Sequence, residues 1–193
     1  FFNKNPKRID LSEVKVGINY VIILNTNAGL WGYNIGDTVK FVSINPYRII
    51  VSGRIKHFTS AFGEHVIAEE VELSLKETIE KLPASINEFH VSPQVQPEKG
   101  LPYHEWLIEF EKKPENNLEF KKLLDKNLQN QNSYYKDLIQ GSVLQELQIT
   151  IIKKNGFRKY MKTIGRLGGQ NKVPRLSNDR KIADILKEIN KDE

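Results

Sequence analysis

The sequence predicts an α+β fold: a short antiparallel β segment, then a small α/β lid domain with helices packed on a mostly antiparallel sheet. Two observations carry this. The first fifty residues hold short β-branched and aromatic runs separated by Asn, Gly and Pro, and from Glu64 onward the apolar spacing changes to that of a helix. With 193 residues, 39% hydrophobic and 27% charged, the chain has apolar material for one domain, or for a domain and an appendage.

Residues 20–24, 38–42 and 48–51 are the three expected strands of the β segment. Residues 64–82 predict a helix, because Ile67, Val71, Leu75, Ile79 and Leu82 recur every three or four positions and Pro83 stops the run. Strands follow at 86–95 and 104–111. The second alternates Trp106, Ile108 and Phe110 with Glu105, Glu109 and Glu111, which predicts one dry face and one wet face, with helices covering the dry one. Residues 118–139 predict a helical region broken near Asn132-Ser133, and 147–152 a strand. Residues 157–167 predict a helix with Phe157, Tyr160, Met161 and Ile164 on one side, and 180–189 a last helix. Residues 92–102, with their prolines and Gly100, are a loop. The domain boundary is expected at Ser52-Gly53-Arg54, dividing 1–52 from 53–193.

Composition excludes several classes of function. With no cysteine there is no disulfide framework, thiol nucleophile or zinc–thiolate site, which fits a reducing, cytoplasmic setting. No run approaches the ~18 apolar residues of a membrane span, so no membrane partner is expected. Phe1-Phe2-Asn3 lacks an initiator methionine and reads as the middle of a longer protein. His57, His65, His90 and His104 are scattered without metal-ligand spacing, and no metal site is assigned to them. The net charge of +5 is uneven. The stretch from Lys153 to Lys181 has ten basic residues against Asp179, a local charge of +9, which leaves −4 for the rest. Such a concentration attracts phosphate, of a nucleotide or of a nucleic acid, or is simply a solvated helix face.

Three segments carry candidate chemistry. Residues 26–37 form a Gly-rich connection between strands ending in Gly36-Asp37; the carboxylate suits a vicinal diol, or caps its own turn. Ser52-Gly53-Arg54-Ile55-Lys56-His57 is a flexible joint beside cations. Leu167-Gly168-Gly169-Gln170-Asn171-Lys172-Val173-Pro174-Arg175 delivers a lysine just after a helix. It is not a Walker A loop, since Lys172 is not followed by Ser or Thr and opens no helix.

In order and spacing the three segments resemble the auxin-responsive "Gretchen Hagen three" acyl-acid amido synthetases and their bacterial relatives, a branch of the adenylate-forming superfamily. The resemblance rests on Asn27-Ala28-Gly29-Leu30-Trp31-x-Tyr33-x-Ile35-Gly36-Asp37, on Gly53-Arg54-x-Lys56, and on Gly156-Phe157-x-x-x-Met161 followed by Leu167-Gly168 and Asn171-Lys172-x-Pro174-Arg175. The family usually has arginine where this chain has Gly32 and Asn34. The resemblance implies a ligase that uses ATP, with Mg2+, to adenylate a small carboxylic acid and passes the acyl group to an amine or amino acid. It makes residues 1–52 the end of a large N-terminal domain and 53–193 a lid that swings on the hinge. That N-terminal domain would hold most of the ATP and Mg2+, so this chain alone is expected to be inactive. By the same resemblance Asp37, Arg54 and Tyr33 bind the nucleotide and Lys172 is catalytic.

Two other readings come from different classes. One is a noncatalytic nucleotide- or partner-binding relative, raised by the missing arginines. The other is a basic nucleic-acid-binding module on 153–181. That module requires aromatic side chains among its bases, whereas Phe157 and Tyr160 fall on the apolar face of their helix, so no nucleic-acid partner is expected.

Overall fold

The computed structural model describes residues 6–54, 58–166, 168 and 171–191, without the side chains of Arg54 and Phe58. The chain divides into two compact units, Phe1–Lys56 and His57–Glu193.

The first unit is an antiparallel meander of β1 (Asn19–Leu24), β2 (Tyr33–Ile44) and β3 (Tyr47–Arg54). The segment read as a connection up to Asp37 is therefore shorter than expected, because β2 already begins at Tyr33. The reason is a bulge. Val21 pairs with Thr38 and Ile23 with Asn34, so Ile35, Gly36 and Asp37 stand opposite the single residue Ile22. Gly36 supplies the positive φ of +85° that this requires, and its N–H donates to Asn34 Oδ1 at 2.9 Å. Among the described hydrophobic residues of this unit only Val39 and Phe41 are buried, while Trp31, Tyr33, Ile35, Val42, Ile49 and Val51 are exposed.

The second unit opens with the short pair β4 (Phe58–Thr59) and β5 (Val66–Ile67), followed by α1 (Ala68–Lys81). The helix starts four residues later than its periodicity suggested. Ile67 sits in β5 at its N-terminus, where its N–H donates to the Glu70 carboxylate at 3.0 Å. β6 (Ser85–Gln94) and β7 (Tyr103–Lys112) pair antiparallel. α2 (Asn117–Gln131) and α3 (Ser133–Gln140) come next. The break between them is at the expected place: Asn132 is extended, and its side chain accepts from the Tyr135 N–H to cap α3. β8 (Gln148–Ile152) joins β7 in parallel, giving a three-stranded sheet ordered β6-β7-β8. α4 (Gly156–Thr163) and α5 (Lys181–Lys191) finish the unit.

Helices cover both faces of this sheet, which corrects the expectation of one wet face. Phe89, Val91, Trp106 and Ile108 pack with α1, α2 and α3 through Val71, Leu75, Phe120, Leu124, Leu128 and Tyr135. Leu107 and Ile152, on the opposite side, pack with α4 and α5 through Phe157, Tyr160, Ala183 and Leu186. The glutamates that suggested solvent are buried beside Leu107, at 2% exposure for Glu105 and 5% for Glu109. Burial of a carboxylate is tolerated because each has partners. Glu105 accepts from Thr150 Oγ1 (2.5 Å), Arg180 Nη2 (2.6 Å) and Lys187 Nζ (3.2 Å). Glu109 accepts from the N–H groups of Asn155 (2.9 Å) and Phe157 (3.3 Å), so a sheet carboxylate caps the N-terminus of α4, where the helix dipole favours it.

α4 also ends before its expected limit. Gly165 adopts φ +67°, its N–H bonds the Lys162 carbonyl, and the Arg166 N–H bonds the Met161 carbonyl, the hydrogen bonds of a Schellman turn. At the other end, Gly156 lies against β8. A Cβ there would come within 2.4 Å of Ile152 Cγ2, inside the core. Gly156→Ala is therefore expected to cost about 1–3 kcal/mol by overpacking. A chemical-denaturation midpoint equal to wild type would show that α4 gives way without cost.

Candidate functional site

The segment after α4 is tied to the edge of the sheet, and this positions Lys172. Val91 donates to the Arg175 carbonyl at 2.9 Å and accepts from the Ser177 N–H at 3.0 Å, so Leu176 adds a parallel bridge beside β6. The Arg175 side chain is held three ways. Its Nε donates to Glu72 Oε1 at 3.2 Å, its Nη1 to Glu88, and its guanidinium carbon lies 4.5 Å from the Phe89 ring centroid. Buried His90 supplies another anchor. Its Nδ1 is 2.7 Å from the Pro174 carbonyl oxygen, which only accepts, so Nδ1 carries a proton. Its Nε2 lies 3.1 Å from Ser177 Oγ, which in turn lies 2.6 Å from the Asp179 carbonyl. Ser177 has one hydrogen, so its hydroxyl donates to only one of these two acceptors at a time.

Lys172 itself is exposed. It lines a cleft of about 290 Å³ with Glu88, Glu109, Arg158, Arg166 and Asn171. The two carboxylates already have partners, Glu88 in Arg175 and Glu109 in the start of α4. The cleft thus combines a secured acidic floor with exposed cations from α4 and from the following segment. Leu167, Gly169 and Gln170 of the lysine loop lie outside the described residues.

The other expected site residues belong to the first unit. Asp37 is partly buried on β2, the last residue of the bulge, and pairs in register with Arg54 at the end of β3. Arg54's side chain lies outside the described residues, as do Ile55, Lys56 and His57 of the hinge motif. Tyr33, the first residue of β2, pairs with Leu24 and is 50% exposed. Gly32 and Asn34, the positions where arginine was expected, line a groove of about 1030 Å³ between residues 6–14 and the sheet. The structure therefore brings Asp37 and Arg54 together across a strand pair, while Lys172 sits in the other unit.

A second pair was not recognised from the sequence. His104 Nε2 lies 2.9 Å from Glu64 Oε1, both side chains being fully buried, and Glu64 Oε2 accepts from the Phe62 N–H at 2.9 Å. Burial works against the Glu64 carboxylate, but the hydrogen bond and charge of His104 outweigh it and hold Glu64 below the usual carboxylate range. Among the described residues no group of three or more His, Cys, Asp or Glu side chains converges as a metal ligand set. Nor is any described helix long and apolar enough to cross a membrane.

The chain thus joins a β meander that carries Asp37 to an α/β unit with helices on both faces of its sheet, in which Lys172 lines a cleft. Residues 2–54 match the GH3 family central domain and residues 69–181 the GH3 family C-terminal domain, and the chain belongs to the GH3 family. Among solved structures, "GH3.15 acyl acid amido synthetase" superposes with a TM-score of 0.70 at 19% identity, over 93% of this chain and 35% of the other. "AtGH3.15 acyl acid amido synthetase in complex with 2,4-DB" has the same TM-score and identity, covering 93% of this chain and 34% of the other. At this identity the likeness is one of fold, and the chain spans about a third of the length of these structures. No curated protein matches the sequence.

Proposed function

We propose that the chain is the C-terminal part of an ATP-dependent acyl-acid amido synthetase, which adenylates a carboxylic acid and transfers the acyl group to an amine, in particular an amino acid. The observation that carries this reading is Lys172, exposed and lining the cleft, in a loop that resembles the family's catalytic-lysine loop, with the chain behind it anchored to β6. In this reading residues 1–52 end the large N-terminal domain and 53–193 form the lid. The exposed apolar side chains of the meander support a larger N-terminal domain that covers them. ATP and Mg2+ are then held mainly by that domain, the chain alone is inactive, and the enzyme works in the cytoplasm.

The chain's own residues would act as follows. Asp37, made accessible by the bulge around Gly36, accepts hydrogen bonds from the ribose hydroxyls, with Arg54 opposite it in register and Tyr33 further along β2. Lys172 brings an ammonium to the α-phosphate as the carboxylate attacks, offsetting charge where two anionic groups meet. Val91, His90 and the Arg175 contacts fix the chain just beyond Lys172. The direct assay supplies the protein, joined to its adenylation domain, with ATP, a panel of acids and a panel of amino acids. Amide and AMP in equal amounts are expected; ADP and phosphate, or no product from any pair, would contradict the reading. Asp37→Ala should weaken ATP binding by about 1.5–3 kcal/mol, the scale for losing charge-assisted hydrogen bonds. Calorimetric ATP affinity unchanged by that substitution would remove Asp37 from the site.

A further inference from the structure

We propose that the cleft between α4 and the Lys172 segment is a binding site for a multivalent phosphate anion, gripped by Arg158, Arg166 and Lys172 together. All three side chains are exposed and line one cleft. Among the described residues none of these three side chains has a hydrogen-bonded or ion-paired partner. The acidic groups of the same cleft offset them only in part. Glu88 is paired with Arg175, while Glu109 keeps its charge, since its partners, the N–H groups of Asn155 and Phe157 and the Asn87 amide, are neutral. Three cations against this one carboxylate leave the cleft with an excess of positive charge beside a polar amide, Asn171, and its volume of about 290 Å³ suits a small anion.

The helix itself gives an independent reason. α4 has no acidic residue in its first turn and places Arg158 there, close behind Lys153 and Lys154. A helix N-terminus disfavours cations, so this arrangement works against the stability of α4. Glu109 relieves the end of the helix from across the sheet, which lets the cations stay without being paired by it. Charge placed against the helix dipole and left unpaired points to an external anion. Arginine is suited to the task, because its planar fork meets phosphate oxygens in pairs.

A diphosphate fits this site better than a carboxylate. Three separate cations on two chain segments match an anion with several charged oxygens spread over two phosphorus centres. In identifying that anion the inference rests on the ligase reading. When a carboxylate oxygen bonds to the α-phosphorus of ATP, the bond from that phosphorus to the oxygen bridging to the β-phosphorus breaks, and inorganic pyrophosphate leaves with that electron pair. Arg158 and Arg166 would receive the β- and γ-phosphates while Lys172 addresses the α-phosphate.

The test uses the 193-residue chain labelled with 15N and titrated with inorganic pyrophosphate, and separately with orthophosphate and glycine. Saturable amide shifts are expected at Arg158, Arg166 and residues 171–173, with pyrophosphate binding more tightly than orthophosphate and weakening as salt rises. Arg158→Gln and Arg166→Gln should each weaken pyrophosphate binding about tenfold or more, the scale of one charge-assisted contact, and the same spectra report that the variants are folded. Lys81→Gln, at the end of α1, should leave it unchanged. Wild-type affinity in both arginine variants, or an equal loss in Lys81→Gln, would overturn the site in favour of diffuse attraction. Glycine binding more tightly than pyrophosphate would overturn it in favour of the amine substrate's carboxylate. If Lys172→Ala leaves adenylation intact while the wild-type chain binds pyrophosphate as expected, the ligase role of Lys172 fails and the site stands. If adenylation depends on Lys172 and pyrophosphate shifts nothing, the site fails alone.

Discussion

Lys172→Ala should slow acyl-adenylate formation by about 100-fold or more, while transfer from a presynthesised acyl-adenylate to the amine changes far less. The asymmetry follows from where charge gathers. In the first half-reaction an anionic carboxylate approaches an anionic α-phosphate, and an ammonium fixed there stabilises the transition state more than the separated reactants. Loss of one preorganised donor of this kind costs about 2.7–4 kcal/mol. In the second half-reaction the attacking group is a neutral amine and the same need does not arise. The segment that carries Lys172 is held by backbone bonds to Val91 and by His90, so the alanine variant should keep the loop's position and lose only the charge. Rapid-quench measurement of the two half-reactions separates them. An equal loss in both would assign Lys172 to general binding instead.

Glu105→Ala should destabilise the second unit by about 3–5 kcal/mol, the range for removing one partner of a buried ion pair. Arg180, 19% exposed, would lose its buried carboxylate and keep only the exposed Asp184, and the Thr150 hydroxyl would lose its acceptor. Lys187 adds less, since it is more exposed and water screens it. Burial alone would push the Glu105 carboxyl upward, but Thr150, Arg180 and Lys187 together hold it below its ordinary 4.5. Because the folded-state pKa is the lower one, this contribution is complete above about pH 4.5 and is lost as pH falls through the folded value. The stability gap between wild type and Glu105→Gln should therefore narrow in acid. A gap that stays constant from pH 7 to pH 3 would show that the charge contributes nothing.

The buried state of Glu105 and Glu109 also marks where the sequence stops being legible. Their alternation with Trp106, Ile108 and Phe110 is the pattern of a half-solvated strand. What dries that face is α4 and α5, and the charges that make it possible, Arg180 and Lys187, lie at least 75 positions further along the chain. No local window contains both. The same holds for Glu64, which local periodicity places in a helix and which instead meets His104 in the core. Features with local causes were readable: the apolar spacing of Val71 and Leu75, and the interruption at Asn132, whose side chain caps α3. The site was half readable. Lys172 stands out by its loop and its family resemblance, but the anchoring by His90 depends on a strand more than 80 residues earlier, and the Gly36 bulge depends on the register with β1.

On the proposed function, this chain completes the site of an acid-adenylating enzyme. Carboxylate-dependent exchange of labelled pyrophosphate into ATP, in the absence of any amine, tests it most directly, because exchange requires a reversible acyl-adenylate and nothing later. The protein carrying this chain together with its adenylation domain should exchange label when a cognate acid is added. The Lys172→Ala variant should do so about 100-fold more slowly, as expected for loss of one preorganised charge. Exchange that proceeds at the wild-type rate without Lys172, or that never appears with any acid while ATP still binds, would rule out this role for the chain.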